Sequence, residues 1–150
     1  LGITNACTIV IAGRVNSLAA IQMLLQEATN GLQLYVATSG SVEFQKGGVG
    51  TLVSSGAGSI VVGVPFVITF RLLSGTAVIR NLGVQVATAA TAYTFSAITG
   101  ARIGTDFAGT GYPVNGAIGW VVPIAAALSD ADCLTVERLV GSHFPGMATF

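Results

Sequence analysis

Short apolar runs, each cut off by glycine, limit most strongly what this chain can fold into. Twenty glycines are spread through 150 residues, and the apolar runs between them last four to nine residues. That length suits strands, whereas a stable helix needs about 10–12 periodic residues. Residues 7–12 (CTIVIA) read as a buried strand closed by Gly13. Residues 20–28 carry IQMLLQEA, which has some helical character. However, Asn30-Gly31 follows, and then another apolar run at 32–38. An Asn-Gly pair between apolar runs marks a hairpin, because both residues tolerate positive φ, so both arms are read as strands. In 41–46, Val42, Phe44 and Lys46 share one face and Ser41, Glu43 and Gln45 the other. Further strands are predicted at 49–54, 59–62, 66–73, 76–82 and 116–124, with two short ones within 84–99.

One segment departs from this pattern. Ser129 begins Ser-Asp-Ala-Asp, a helix N-cap with an acid three positions on. Cys133, Val136 and Val140 then fall on one apolar face, with Leu139 beside them. Asp130 and Asp132 suit the positive end of the helix dipole, and Gly141 supplies a stop. A helix of about ten residues is predicted near 130–140. No repeat, linker or second domain is visible. The chain therefore reads as a single all-β domain over 1–150, an antiparallel two-sheet sandwich with one short C-terminal α-helix.

Mean hydropathy is high, at +0.78, which raises the question of a membrane. The longest apolar stretches, 60–70 and 117–128, contain Pro65 and Pro123. Both fall short of the roughly 18 residues a spanning helix needs, so no membrane span is expected. Six Lys and Arg are balanced by six Asp and Glu, too few to line a nucleic-acid surface. The start, Leu1-Gly2-Ile3-Thr4-Asn5, has no initiator Met and no basic region of a signal peptide. It is expected to be a processed start or the edge of a fragment. Cys7 and Cys133 lack metal-ligand spacing; a disulfide is conceivable, but two buried free thiols are the favoured reading.

The C-terminal third carries a family resemblance. Ala101-Arg102-Ile103-Gly104 precedes a loop, followed by Tyr112-Pro113-Val114-Asn115-Gly116-Ala117-Ile118-Gly119. Then come an apolar strand and Leu128-Ser129-Asp130-Ala131-Asp132. This order resembles the end of concanavalin A-like jelly-roll domains of the laminin-G type. Residues 65–80 are similar to that family's central hairpin, although its usual Tyr-x-Asn-Gly is reduced here to Asn81-Leu82-Gly83. The resemblance covers about the last 90 residues well and the first 60 only in general character. It implies a two-sheet jelly-roll sandwich, of the kind found in extracellular and bacteriophage virion modules. Fold alone assigns no function.

Chemistry-bearing patterns are scarce. Glucanases of this fold place paired acids on one strand, but Glu27, Glu43 and Glu137 each lack such a partner on a predicted strand. Asp130 and Asp132 are explained by helix capping. His143 is the single histidine and sits beside Phe144, as in a docked tail. No nucleophile elbow, Walker loop or dinucleotide fingerprint occurs, so no cofactor, catalytic residue or metal ligand is assigned. Asp106 alone makes a poor calcium site. Glycan binding needs an aromatic platform with a few polar groups, and Asp106, Phe107 and Tyr112 are the best available set. Loop packing or a subunit contact is the plainer explanation of those two aromatics. Trp120 lies in an apolar strand and is expected in the core.

Composition then weighs on function. Twelve charges and zero net charge are few for a freely diffusing monomer, and obligate interfaces resemble a core cut in half. The leading expectation is a non-enzymatic structural or assembly module of a viral particle, such as a phage decoration, capsid-associated or tail protein. Its partners would be other virion subunits and further copies of itself, for example as a trimer, in the virion or outside the cell. The alternative is a carbohydrate-binding lectin module that recognises host-surface glycans.

Overall fold

The computed structural model describes residues 6–28, 31–73, 75–92, 100–106, 108–147 and 150. Among them the strands run β1 (Cys7–Val15), β2 (Gln22–Glu27), β3 (Leu32–Val36), β4 (Val42–Lys46) and β5 (Gly50–Ser54). They continue with β6 (Phe66–Leu73), β7 (Thr76–Asn81), β8 (Val84–Ala90), β9 (Ala101–Ile103) and β10 (Gly116–Ile124), and helix α1 spans Asp130–Ser142. Sheet A has the order β10-β1-β6-β7-β8 and sheet B the order β5-β4-β3-β2-β9. Neighbouring strands pair antiparallel throughout. The all-β, two-sheet sandwich with one short C-terminal helix is therefore the fold of this chain.

Alternation decides what each sheet buries. Ile9, Ile11, Ile68, Phe70 and Ile79 of sheet A meet Leu24, Leu34, Val42 and Phe44 of sheet B in one core. The Phe44 and Phe70 rings stack across the gap, 3.4 Å between centroids and 16° between planes. Each such fully buried side chain stabilises the fold by roughly 1.5–3 kcal/mol. Strands β1 and β6 are buried on their other face too, where Val10, Ala12 and Val67 pack beneath Val140 and Phe144. Two covered faces explain why these strands read as continuous apolar runs rather than alternating ones.

Helix α1 is fastened to sheet A by charge as well as packing. The Ser129 hydroxyl accepts from the Asp132 amide at 3.1 Å and donates to the Asp132 carboxylate at 2.6 Å. Asp130 pairs with Arg71 at 2.7 Å, and the fully buried Glu137 pairs with Arg80 at 2.8 Å. The helix runs past Gly141, contrary to the expected stop. Gly141 is small for another reason: a Cβ there would lie 3.0 Å from the Phe150 ring.

Two other expectations need correction. Residues 59–62 form no strand. Val64 N–H bonds back to Val61 and Gly63, at φ 78°, bonds to Val15, so the run turns instead of extending. Only Ile60 of that run is buried; Val61 and Val62 are exposed. Trp120 is 47% exposed rather than in the core. In the stretch 84–99, one strand is β8, and residues 93–99 lie outside the described set. Both cysteines are buried free thiols, as favoured.

Candidate functional site

Helix α1 covers the outer side of sheet A, whereas among the described residues no helix packs on the outer side of sheet B. Strand β3 turns Leu32, Leu34 and Val36 inward, so Gln33 and Tyr35 face out. Strand β4 does the same with Val42 and Phe44 inside and Glu43 and Gln45 outside. In β2 a bulge between Met23 and Leu25 keeps Leu24 in the core, with Met23 opposite Tyr35 and Gln26 opposite Gln33. The register then runs Arg102, Gln26, Gln33, Gln45 and Thr51 side by side across five strands. A second row places Met23, Tyr35, Glu43 and Ser54 next to it.

Glu43 organises that second row. Its carboxylate accepts from the Tyr35 hydroxyl at 2.6 Å, the Ser41 hydroxyl at 3.2 Å and the Thr51 hydroxyl at 3.3 Å. Burial first, and then the Glu43 carboxylate, push the Tyr35 phenol up to about 12, so it is a permanent donor at physiological pH. With three hydroxyl donors on it, Glu43 is a fixed acceptor.

A depression of about 200 Å³ opens on this face, lined by Ile21, Met23, Gln33, Tyr35, Gln45 and Tyr112. Tyr112 reaches it from the loop after β9. Its carbonyl accepts from the Met23 amide at 3.0 Å, and its backbone sits at φ 51°, a left-handed conformation uncommon outside glycine. The ring is half exposed. The loop holds itself in place: Asp106 accepts from the Thr110 amide at 2.9 Å, and Thr105 donates to the Gly111 carbonyl at 3.0 Å. The Arg102 guanidinium lies against Gly109, which adopts φ 75°.

Of the two described residues among the three singled out in sequence, Tyr112 lines the depression and Asp106 does not. The Asp106 carboxylate closes its own loop. Backbone N–H groups of Gly111, Thr110 and Gly109, together with the Arg102 charge, hold it below the usual carboxylate range. Phe107 lies outside the described residues. Sequence reading missed Gln33, Tyr35, Gln45, Met23 and Arg102. The signal was present: Leu-Gln-Leu-Tyr-Val at 32–36 and Val-Glu-Phe-Gln at 42–45 alternate cleanly, and the polar half of an alternating strand faces away from the core.

Amides that both donate and accept, a fixed carboxylate and two tyrosine rings suit a polyhydroxylated ligand. Among the described residues no group of three or more His, Cys, Asp or Glu side chains is arranged to hold a metal ion, and no helix is long and apolar enough to cross a membrane.

The solved structures this chain resembles share its sandwich. One is the CBM40 carbohydrate-binding domain of a Ruminococcus gnavus IT-sialidase bound to α2,3-sialyllactose. Its TM-score is 0.73 at 19% identity, covering 91% of this chain and 84% of that one. The fold is the concanavalin A-like jelly roll. Domain 4 of an extracellular GH43 arabinanase from Geobacillus stearothermophilus, in complex with arabinotriose, matches with a TM-score of 0.73 at 14% identity, over 92% of this chain and 69% of that one. A sialidase of Streptococcus pneumoniae matches with a TM-score of 0.74 at 18% identity, over 87% of this chain but 24% of its own length. No protein-family model matches the chain, and neither does any curated protein. At these identities the likeness establishes the jelly roll and nothing finer.

Proposed function

We propose that this chain is a non-catalytic carbohydrate-binding module that takes a glycan on the open face of sheet B. The observation that carries the reading is the depression between Tyr35 and Tyr112, floored by Gln33 and Gln45 and flanked by the fixed Glu43 carboxylate. A sugar ring would rest on the Tyr112 ring while its hydroxyls exchange hydrogen bonds with the glutamine amides. Two of the similar structures hold a glycan, α2,3-sialyllactose and arabinotriose respectively, which supports this reading. An extracellular location goes with it.

Calorimetric titration of the full chain with 3′-sialyllactose, arabinotriose and lactose, backed by a glycan array, tests the proposal. Binding should appear for at least one glycan and weaken about tenfold, or 1.4 kcal/mol, in Tyr112→Ala and in Gln33→Ala. A silent array, or binding unchanged in both variants, would sink it.

The virion-assembly role draws no support from these glycan-linked structures. What favours a subunit contact is a cluster of exposed valines, Val61, Val62 and Val64, on the turn before β6.

A further inference from the structure

A second aromatic position stands on the opposite side of the sandwich. Strand β10 is an edge of sheet A. Its register with β1 shifts between Ala12, which faces Trp120, and Gly13, which faces Ile118, leaving Gly119 as the extra residue. A Cβ on Gly119 would lie 2.7 Å from the Phe144 ring, so this bulge and that ring coexist only with glycine. Bulges at sheet edges re-aim side chains, and here Trp120 turns outward, opposite the outward-facing Ala12. The His143 ring, just past the end of α1, stands 5.9 Å from the Trp120 ring at 46°. Two depressions meet at His143. One, of about 180 Å³, is walled by Trp120 and Leu139; the other, of about 250 Å³, is bounded by Arg14, Gly119 and Phe144.

Arg14 differs from the other arginines. Arg71 and Arg80 are tied to Asp130 and Glu137, Arg138 donates to the Phe150 carbonyl, and Arg102 acts on Asp106. Arg14 makes no ion pair among the described residues. It lies two positions along β1 from Ala12, the partner of Trp120, hence about 7 Å along the strand on the same face. Trp120 and Arg14 thus stand on the same side of sheet A, each bordering one of the two depressions that meet at His143.

We propose that this groove is a second binding site, for a carboxylate-bearing sugar. The ring stacks on the exposed face of Trp120, and the carboxylate pairs with the Arg14 guanidinium. The site lies across the core from the sheet B face and does not depend on it.

Trp120 is the chain's only tryptophan, so its fluorescence reads this groove alone. The full chain would be titrated with trigalacturonate and with 3′-sialyllactose, two sources of a sugar carboxylate, and with neutral maltotriose. A saturable change in emission with either acidic sugar is expected. It should weaken about tenfold in Arg14→Gln and persist in Tyr112→Ala, which disables the sheet B face. The proposal is overturned by no change up to about 10 mM, by an equal response to maltotriose, or by loss of the response in Tyr112→Ala. Failure of the sheet B reading would leave the tryptophan response intact, so the two outcomes separate.

Discussion

The Tyr35 hydroxyl holds Glu43 in place on the open face of sheet B. Removing it in Tyr35→Phe should lower stability by about 1 kcal/mol, toward the low end for a charged acceptor because the pair borders solvent. Urea unfolding would measure this. The same phenol predicts an alkaline weakness. Its folded value, about 12, lies above the ordinary value of 10, so the unfolded chain gives up that proton first. Stability from this group is complete below about pH 10 and declines as pH rises toward 12. Cys7 adds to the same decline at lower pH, since burial lifts its thiol from 9 to about 11. Unfolding midpoints should therefore fall steadily above about pH 9, and Tyr35→Phe should remove the upper part of that slope. A flat midpoint between pH 9 and 12 would contradict the assignment. At this scale Tyr112 was legible in sequence as a candidate, an aromatic in a loop. Tyr35 went unnoticed because a tyrosine inside an apolar strand looks like core until the partner strands fix which way it points.

Helix α1 is the clearest case of an element readable at one end only. Its start is written locally in Ser129 and Asp132, whose side chain and amide satisfy each other. Its end is not, because Gly141 is set by Phe150 and Val67 closing over it, contacts with no local signature. The Arg80–Glu137 pair is equally invisible in sequence, at a separation of 57 residues. Glu137 is fully buried, so breaking the pair leaves a charge without compensation. Arg80→Met should cost about 3–5 kcal/mol. The double variant Arg80→Met/Glu137→Leu should recover much of that loss, and a double-mutant cycle on unfolding free energies reads the coupling. Additive losses would show that the pair contributes nothing as a pair. Strand β10 illustrates the remaining kind of miss: its limits were legible from the apolar run, but the bulge at Gly119 was not, and the bulge decides where Trp120 points.

For the whole molecule, a mean hydropathy of +0.78 has a structural explanation in β1 and β6, which are buried on both faces. The shortage of charge leaves little electrostatic repulsion near the sequence isoelectric point of about 6.8. Self-association should be strongest close to neutral pH. Val62→Glu, at an exposed position, should reduce it while shifting stability by less than about 0.5 kcal/mol. Light-scattering mass against pH, for the parent and the variant, distinguishes a specific oligomer from weak association. A monodisperse monomer of 15.1 kDa at all pH values would remove the subunit-contact reading. The sandwich was legible because periodicity and glycine spacing are local, whereas the open face emerged only once five strands were set in register. Tyr112 links that face to the fate of the entire fold. Held at φ 51°, it occupies a backbone position where glycine sits with less strain. A selection for heat resistance alone would thus place no barrier in the way of Tyr112→Gly, and would discard the ring on which the proposed binding face rests.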